Sequence, residues 1–178
     1  MAEVPVCHAE LCLYGDALDP DALSGILGLE PHTALRKGAV RHTRTGRRIV
    51  QRTGVWIYGT AKADGAPARD ADPETHVRWL LAAALDITPD VPAGGPRCAA
   101  LRAHATTHGL DVRVSVFWHG RFVIQAPKVT ATLRALVQWI PARLTLDCGG
   151  DDAPLRNATF VDRNPPCEPD ADPFANDP

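Results

Sequence analysis

Apolar and polar positions alternate with a period of two in some stretches of this chain and recur at helical spacing in others. From Val4 to Tyr14 the alternation puts Leu11 and Leu13 on one face and Glu10 on the other, which predicts a strand. A helix is predicted next. Asp19 stands where a cap is needed, Pro20 falls at the first helical position, and Leu18 and Leu23 have the spacing of a hydrophobic staple. Ala22, Leu23, Ile26 and Leu27 form its apolar stripe, and Gly28 is the expected stop. Glu30 supports that stop, because a residue before proline avoids the helical region.

Residues 54–61 read as a second strand. Asp72 and Pro73 repeat the cap-and-proline start, and Val77, Leu80, Leu81, Ala84 and Leu85 follow the i, i+3, i+4, i+7, i+8 stripe of a helix. A third helix is expected from Arg97 to His108, ending at Gly109. Over 110–118, Val112, Val114 and Val116 alternate with Arg113, Ser115 and Phe117, so a strand is predicted there. His119-Gly120 reads as a hairpin turn into a strand over 121–126. Pro127 opens a helix carrying Val129, Leu133, Leu136, Val137 and Ile140, and Arg143 to Cys148 is the last predicted strand.

The predicted order is β-α-β(β)-α-α-β-β-α-β. Hairpins and single connecting helices favour an α+β fold, a mostly antiparallel sheet with helices packed on one face. Residues 1–148 are expected to form one such domain. Residues 149–178 are read as an acidic, proline-rich and mostly disordered tail, with Phe160-Val161 as a segment for docking on the body.

Charge sharpens this division. The net charge of −2, averaged over the chain, predicts neither a nucleic-acid nor a membrane partner. Between Arg36 and Arg52, however, there are seven basic residues and no acidic one. This segment reads as a ribbon or a mobile loop around Gly38 and Gly46. Beyond Gly150 seven acidic residues face only Arg156 and Arg163, so the two ends of the charge pattern are suited to attract each other.

The five cysteines form no C-x-x-C pair, which fits reduced thiols rather than a disulfide framework or a zinc knuckle. No signal-peptide pattern stands at Met1, and the longest apolar run, Trp79 to Leu85, is too short for a membrane span. A cytoplasmic location is the expectation.

A run of short motifs resembles a known family. Gly15-Asp16, Leu18-Asp-Pro-Asp-Ala-Leu23, Ile26-Leu-Gly-Leu-Glu-Pro31, Lys37-Gly38 and a lone Trp56 on a strand are similar to the bacterial domain-of-unknown-function family 4279, over about residues 6–148. The resemblance supplies no catalytic residues. By analogy with other small α+β families it implies an immunity-like role, neutralising a toxin by binding it. The same residues also have structural explanations: a helix stop at Gly28 and Pro31, a turn with positive φ at Gly38, and a core position for Trp56.

Three constellations bear on chemistry. Arg41, Arg44, Arg47 and Arg48 form a candidate surface for a protein partner or an anion. Nucleic acid or another phosphate ligand is the alternative partner for the same arginines, although the basic segment 36–52 holds no base-stacking aromatic and the next are Trp56 and Tyr58. His104 and His108, four residues apart on a predicted helix, are a candidate metal pair, and a metal-dependent enzyme is the third reading. The glutamate of H-E-x-x-H is missing there, and Asp111 is the only acidic group nearby. No nucleophile elbow, P-loop or dinucleotide fingerprint is present, so no cofactor is expected. A non-enzymatic protein-binding module is the first reading. The sequence leaves the oligomeric state open.

Overall fold

Strict alternation at the N-terminus produces the central strand. In the computed structural model, which describes residues 6–119, 130–138, 140 and 142–149, β1 runs Val6–Gly15. Its residues Cys7, Ala9, Leu11 and Leu13 are fully buried on one face. The remaining elements are α1 (Pro20–Leu27), β2 (Thr33–Leu35), β3 (Val40–His42), β4 (Arg48–Val50), β5 (Gly54–Gly59), α2 (Pro73–Leu85), α3 (Pro96–His108), β6 (Asp111–His119), α4 (Ala131–Val137) and β7 (Ala142–Gly149).

Among the described residues five strands form one sheet in the order β2-β5-β1-β6-β7, and β3 pairs with β4 as a separate ribbon. β1 is antiparallel to both of its neighbours, with Leu13 opposite Trp56 on β5 and Val112 on β6. The β6–β7 pair is parallel, Val114 facing Leu144. Two parallel strands cannot be joined by a tight turn and need a crossover connection, and α4 lies in this one. The sheet is therefore mostly antiparallel, as the pattern predicts. The predicted strand over 121–126, the helix start at Pro127 and the tail lie outside the described residues. β2 is an addition, and three residues are too few for an alternation to be read.

The helices cover the face carrying Leu11 and Leu13. α1 packs on β5, α2 on β1 and β6, α4 on β7, and α3 on α1 and α2. Val77, Leu80, Leu81, Ala84 and Leu85 of α2 are all buried, the stripe its spacing predicts. In α1 the buried positions are Pro20, Leu23 and Leu27, with Ile26 half-buried, whereas Ala22 is exposed. An eight-residue helix meets the core through a narrow stripe, and Ala22 falls on its flank.

Both aspartate caps form. Asp19 accepts from the backbone N–H groups of Asp21 and Ala22, and Asp72 from that of Thr75. Gly28 ends α1 at φ 64°, its N–H donating to the Ser24 carbonyl. Trp56 is completely buried, and its Nε1–H donates to Ser24 Oγ at 3.1 Å, which ties β5 to α1. It is a core residue with a satisfied polar end.

Candidate functional site

The basic segment folds as a ribbon. Gly38 at φ 83° and Gly46 at φ 80° supply the two left-handed positions, the first of them the one expected at Lys37-Gly38. At the tip the Thr43 N–H donates to the Arg47 carbonyl, the Gly46 N–H to the Thr43 carbonyl and the Arg47 N–H to Thr43 Oγ1. At the base the Gly38 N–H donates to the Gln51 carbonyl and the Gln51 N–H to the Ala39 carbonyl. Val40 lies opposite Val50, Arg41 opposite Ile49 and His42 opposite Arg48. Val40, His42, Arg48 and Val50 therefore share one face.

Two of the seven basic residues anchor the ribbon to the body. Arg36 reaches Asp19 at 2.7 Å and Asp21 at 2.6 Å, and Lys37 pairs with Asp16. Asp16 and Asp19 are held below the usual carboxylate range. For Asp16 the largest cause is its hydrogen bond from Lys37; for Asp19 the hydrogen bonds from Arg36 and from the α1 backbone outweigh desolvation. Gly15-Asp16 and Lys37-Gly38, distant in sequence, thus meet at one ion pair.

Arg41, Arg44, Arg47 and Arg48 are all exposed, and none has an acidic partner among the described residues. Beside them Val40 and Val50 are 48% and 44% exposed. The surface is mixed: Arg48 and His42 share the face of the valine pair, and Arg41 lies on the other face.

His104 and His108 do come together, with ring centroids 4.3 Å apart. His104 is half-buried, its Nε2 has no partner among the described residues, and burial, reinforced by His108, holds its pKa below the ordinary imidazole value. A third ligand is missing: among the described residues no three His, Cys, Asp or Glu side chains are grouped to hold a metal ion. Asp111 is taken by Arg113, whose Nε donates to it at 2.9 Å, with Arg143 Nε 3.7 Å away.

The face of the sheet opposite the helices carries a cluster that sequence reasoning missed. His8, Glu10, Cys12 and Tyr14 alternate along β1 on the face away from Leu11 and Leu13. Glu10 Oε1 lies 3.4 Å from His32 Nε2 and 3.9 Å from His8 Nε2, and His8 stacks on Phe117 with centroids 4.5 Å apart. Thr145 Oγ1 donates to Ser115 Oγ at 2.8 Å, and the Arg113 guanidinium sits 4.9 Å above the Tyr14 ring. Burial, with the Glu10 carboxylate adding to it, pushes the Cys12 thiol up to about 11. Burial also pushes the Tyr14 hydroxyl up to about 12. Both groups stay protonated at neutral pH, and a thiol without its thiolate is a poor nucleophile. The readable signal was the run of polar groups at every second position of β1.

A groove of about 180 Å³ lies between the α2–α3 connector and α4, lined by Ile87, Pro89, Pro92, Thr132 and Ala135 with Arg78 at its edge. It falls below the roughly 300 Å³ at which small-molecule sites begin. No helix among the described residues is long and apolar enough to cross a membrane.

Fold and site together define a class: an α+β protein whose mostly antiparallel sheet carries an inserted basic ribbon clamped to its first helix. The chain belongs to the family described as Domain of unknown function (DUF4279), whose model matches residues 5–146. That span takes in the ribbon, both halves of the Asp16–Lys37 pair and Trp56, and stops before the acidic tail. No curated protein and no solved structure matches the chain.

Proposed function

We propose that this protein is a non-enzymatic binding module whose ribbon arginines engage an acidic surface on another protein, as an immunity-like protein does. The observation that carries the reading is an exposed ribbon with Val40, Val50 and Arg48 on one face, Arg41 on the other, and Arg44 and Arg47 at its tip. Protein interfaces are enriched in arginine and combine an apolar centre with a polar rim. Unpaired rim charges speed association with an oppositely charged partner. Nucleic acid is the weaker fit to the same ribbon, because stacking on bases needs exposed aromatics, and Trp56 on the neighbouring strand is completely buried.

The test compares the wild-type chain with R41Q/R44Q/R47Q/R48Q as bait in a pull-down from source cells, with and without nuclease. Support is a stoichiometric protein that survives nuclease and binds the variant more weakly by about tenfold or more, within the range electrostatic steering supplies. The thermal midpoint of the variant should match that of the wild type, since the four side chains are exposed. Lower stability with unchanged binding would reverse the assignment. Material lost on nuclease treatment would transfer the site to nucleic acid.

A further inference from the structure

The ribbon asks for a partner that combines carboxylates with an apolar side chain, and the chain itself contains one. Residues 168–177 hold Glu168, Asp170, Asp172 and Asp177 together with Phe174, and no basic residue. Four carboxylates and one large apolar group match the four arginines and two valines displayed on the ribbon. We infer that the segment 168–177 docks on the ribbon of its own chain and competes there with the outside partner. The inference rests on reading the ribbon as a surface for acidic, apolar-bearing polypeptide, and adds its regulation.

The topology allows the contact. Among the described residues β7 and β2 are the outermost strands of the sheet, four strand spacings apart, roughly 19 Å at the usual 4.8 Å per step. Gly149 is level with Val6 through His119, while Leu35, where the chain leaves for the ribbon, is level with Tyr14 through Val55. Eight residues along β1 separate those levels, roughly 27 Å. The end of β7 thus lies about 33 Å from the base of the ribbon on this flat-sheet geometry. Glu168 is 19 residues beyond Gly149, and a chain of that length can span up to about 60 Å. Asp151 and Asp152, two and three residues beyond, reach only about 10 Å and take no part.

Tethering makes the tail a strong competitor. A tether of this length presents its segment at an effective concentration on the order of millimolar, so even weak docking in cis is substantially populated. The contact is between exposed charges and fades as the Debye length falls from about 10 Å at 0.1 M salt to about 3 Å at 1 M.

Cys167 stands immediately before the segment and gives a handle for the test, because Cys7, Cys12 and Cys98 are buried. The full chain carrying Cys148→Ser is labelled at Cys167 with a nitroxide, and amide peak intensities are compared before and after its reduction. Loss of intensity at residues 40–50 in low salt, relieved at high salt and absent in R41Q/R44Q/R47Q/R48Q, is the expected result. Intensities at 40–50 that do not change, or a loss that persists in the arginine variant, would overturn the inference. A second measurement needs no cysteine substitution. E168Q/D170N/D172N/D177N in the full chain should shift the amide resonances of 40–50, and unshifted resonances would likewise overturn it. Neither readout involves the outside partner. If these fail while the pull-down succeeds, only the inference about the tail falls; if the pull-down fails while these succeed, the ribbon serves its own chain.

Discussion

Residue by residue, the least obvious part of this protein is a buried histidine. His76 is 1% exposed and Thr60 5%, the only buried polar side chains among the described residues. The Ala9 N–H donates to Thr60 Oγ1 at 3.0 Å, Thr60 pairs with His76 Nδ1 at 2.9 Å, and His76 Nε2–H donates to the Ala68 carbonyl at 3.1 Å. With Nε2 carrying the proton, a neutral ring must accept at Nδ1, so the Thr60 hydroxyl is the donor. Burial lowers the His76 pKa below its ordinary value. An unfolded chain then binds the proton more readily, so this contribution to stability is complete above about pH 6.5 and is lost as pH falls through the folded value. Urea midpoints between pH 8 and pH 5 should decline for the wild type and decline less steeply in His76→Gln, the remaining slope coming from His8 and His104, whose pKa values burial also lowers. Truncation in His76→Ala leaves Thr60 and the Ala68 carbonyl without their partner and should cost about 1–3 kcal/mol. None of this was legible beforehand, because His76 sits in a helix start between Thr75 and Val77 and nothing in its neighbours marks it as buried. Trp56 and the alternating valines of β6, by contrast, declared themselves through size and period.

At the scale of the elements, caps and stripes were the readable features, and long-range ties were not. Asp72 was identifiable from its place before Pro73, and its carboxylate accepts from both the backbone and the hydroxyl of Thr75. Asp72→Ala should lower stability by about 0.5–2 kcal/mol in chemical denaturation. The stop of α2 is different. Asp86 adopts φ 56° although it is not glycine, and Arg97 at the start of α3 grips it with two nitrogens. The same guanidinium donates to the Leu27 carbonyl at 3.1 Å and the Ala83 carbonyl at 2.9 Å, so one side chain ties together the ends of α1 and α2. Lysine keeps the charge but cannot reproduce this fork. Arg97→Lys should therefore destabilise by about 2 kcal/mol, measurable as a shift in urea midpoint at constant slope. The ribbon was legible as a charged segment flanked by glycines. Its pairing register was not, since each paired strand is only three residues long and its apolar residues fall on both faces, Val40 and Val50 on one and Ile49 on the other.

Over the whole molecule, the α+β class and the one-faced packing follow from the order of patterns. The parallel β6–β7 pair and the edge strand β2 emerge only from the closed sheet. The missed cluster around Glu10 belongs to this scale too, because His32, ahead of β2, and Ser115 and Phe117, both on β6, reach β1 from two separate parts of the chain. Its thiol gives a direct check of the chemistry. Cys12, with Cys7 and Cys98, should resist alkylation at pH 7.5 in the native protein and react once it is unfolded, followed by mass spectrometry. Rapid native alkylation of Cys12 would show a thiolate that the buried setting forbids.

The central position of β1 also has a consequence in time. The strand that holds the sheet together is the first to be synthesised, and both of its neighbours come later, β5 some forty residues on and β6 after about a hundred. At the usual pace of translation, roughly 5–20 residues per second, β1 waits about 5–20 s with an open edge before His119 is made. During that interval its apolar face and unpaired backbone are available to any other strand in reach. A nascent chain halted before β6 is therefore the form of this protein most prone to aggregate, and the one on which a ribosome-bound chaperone has the most to protect.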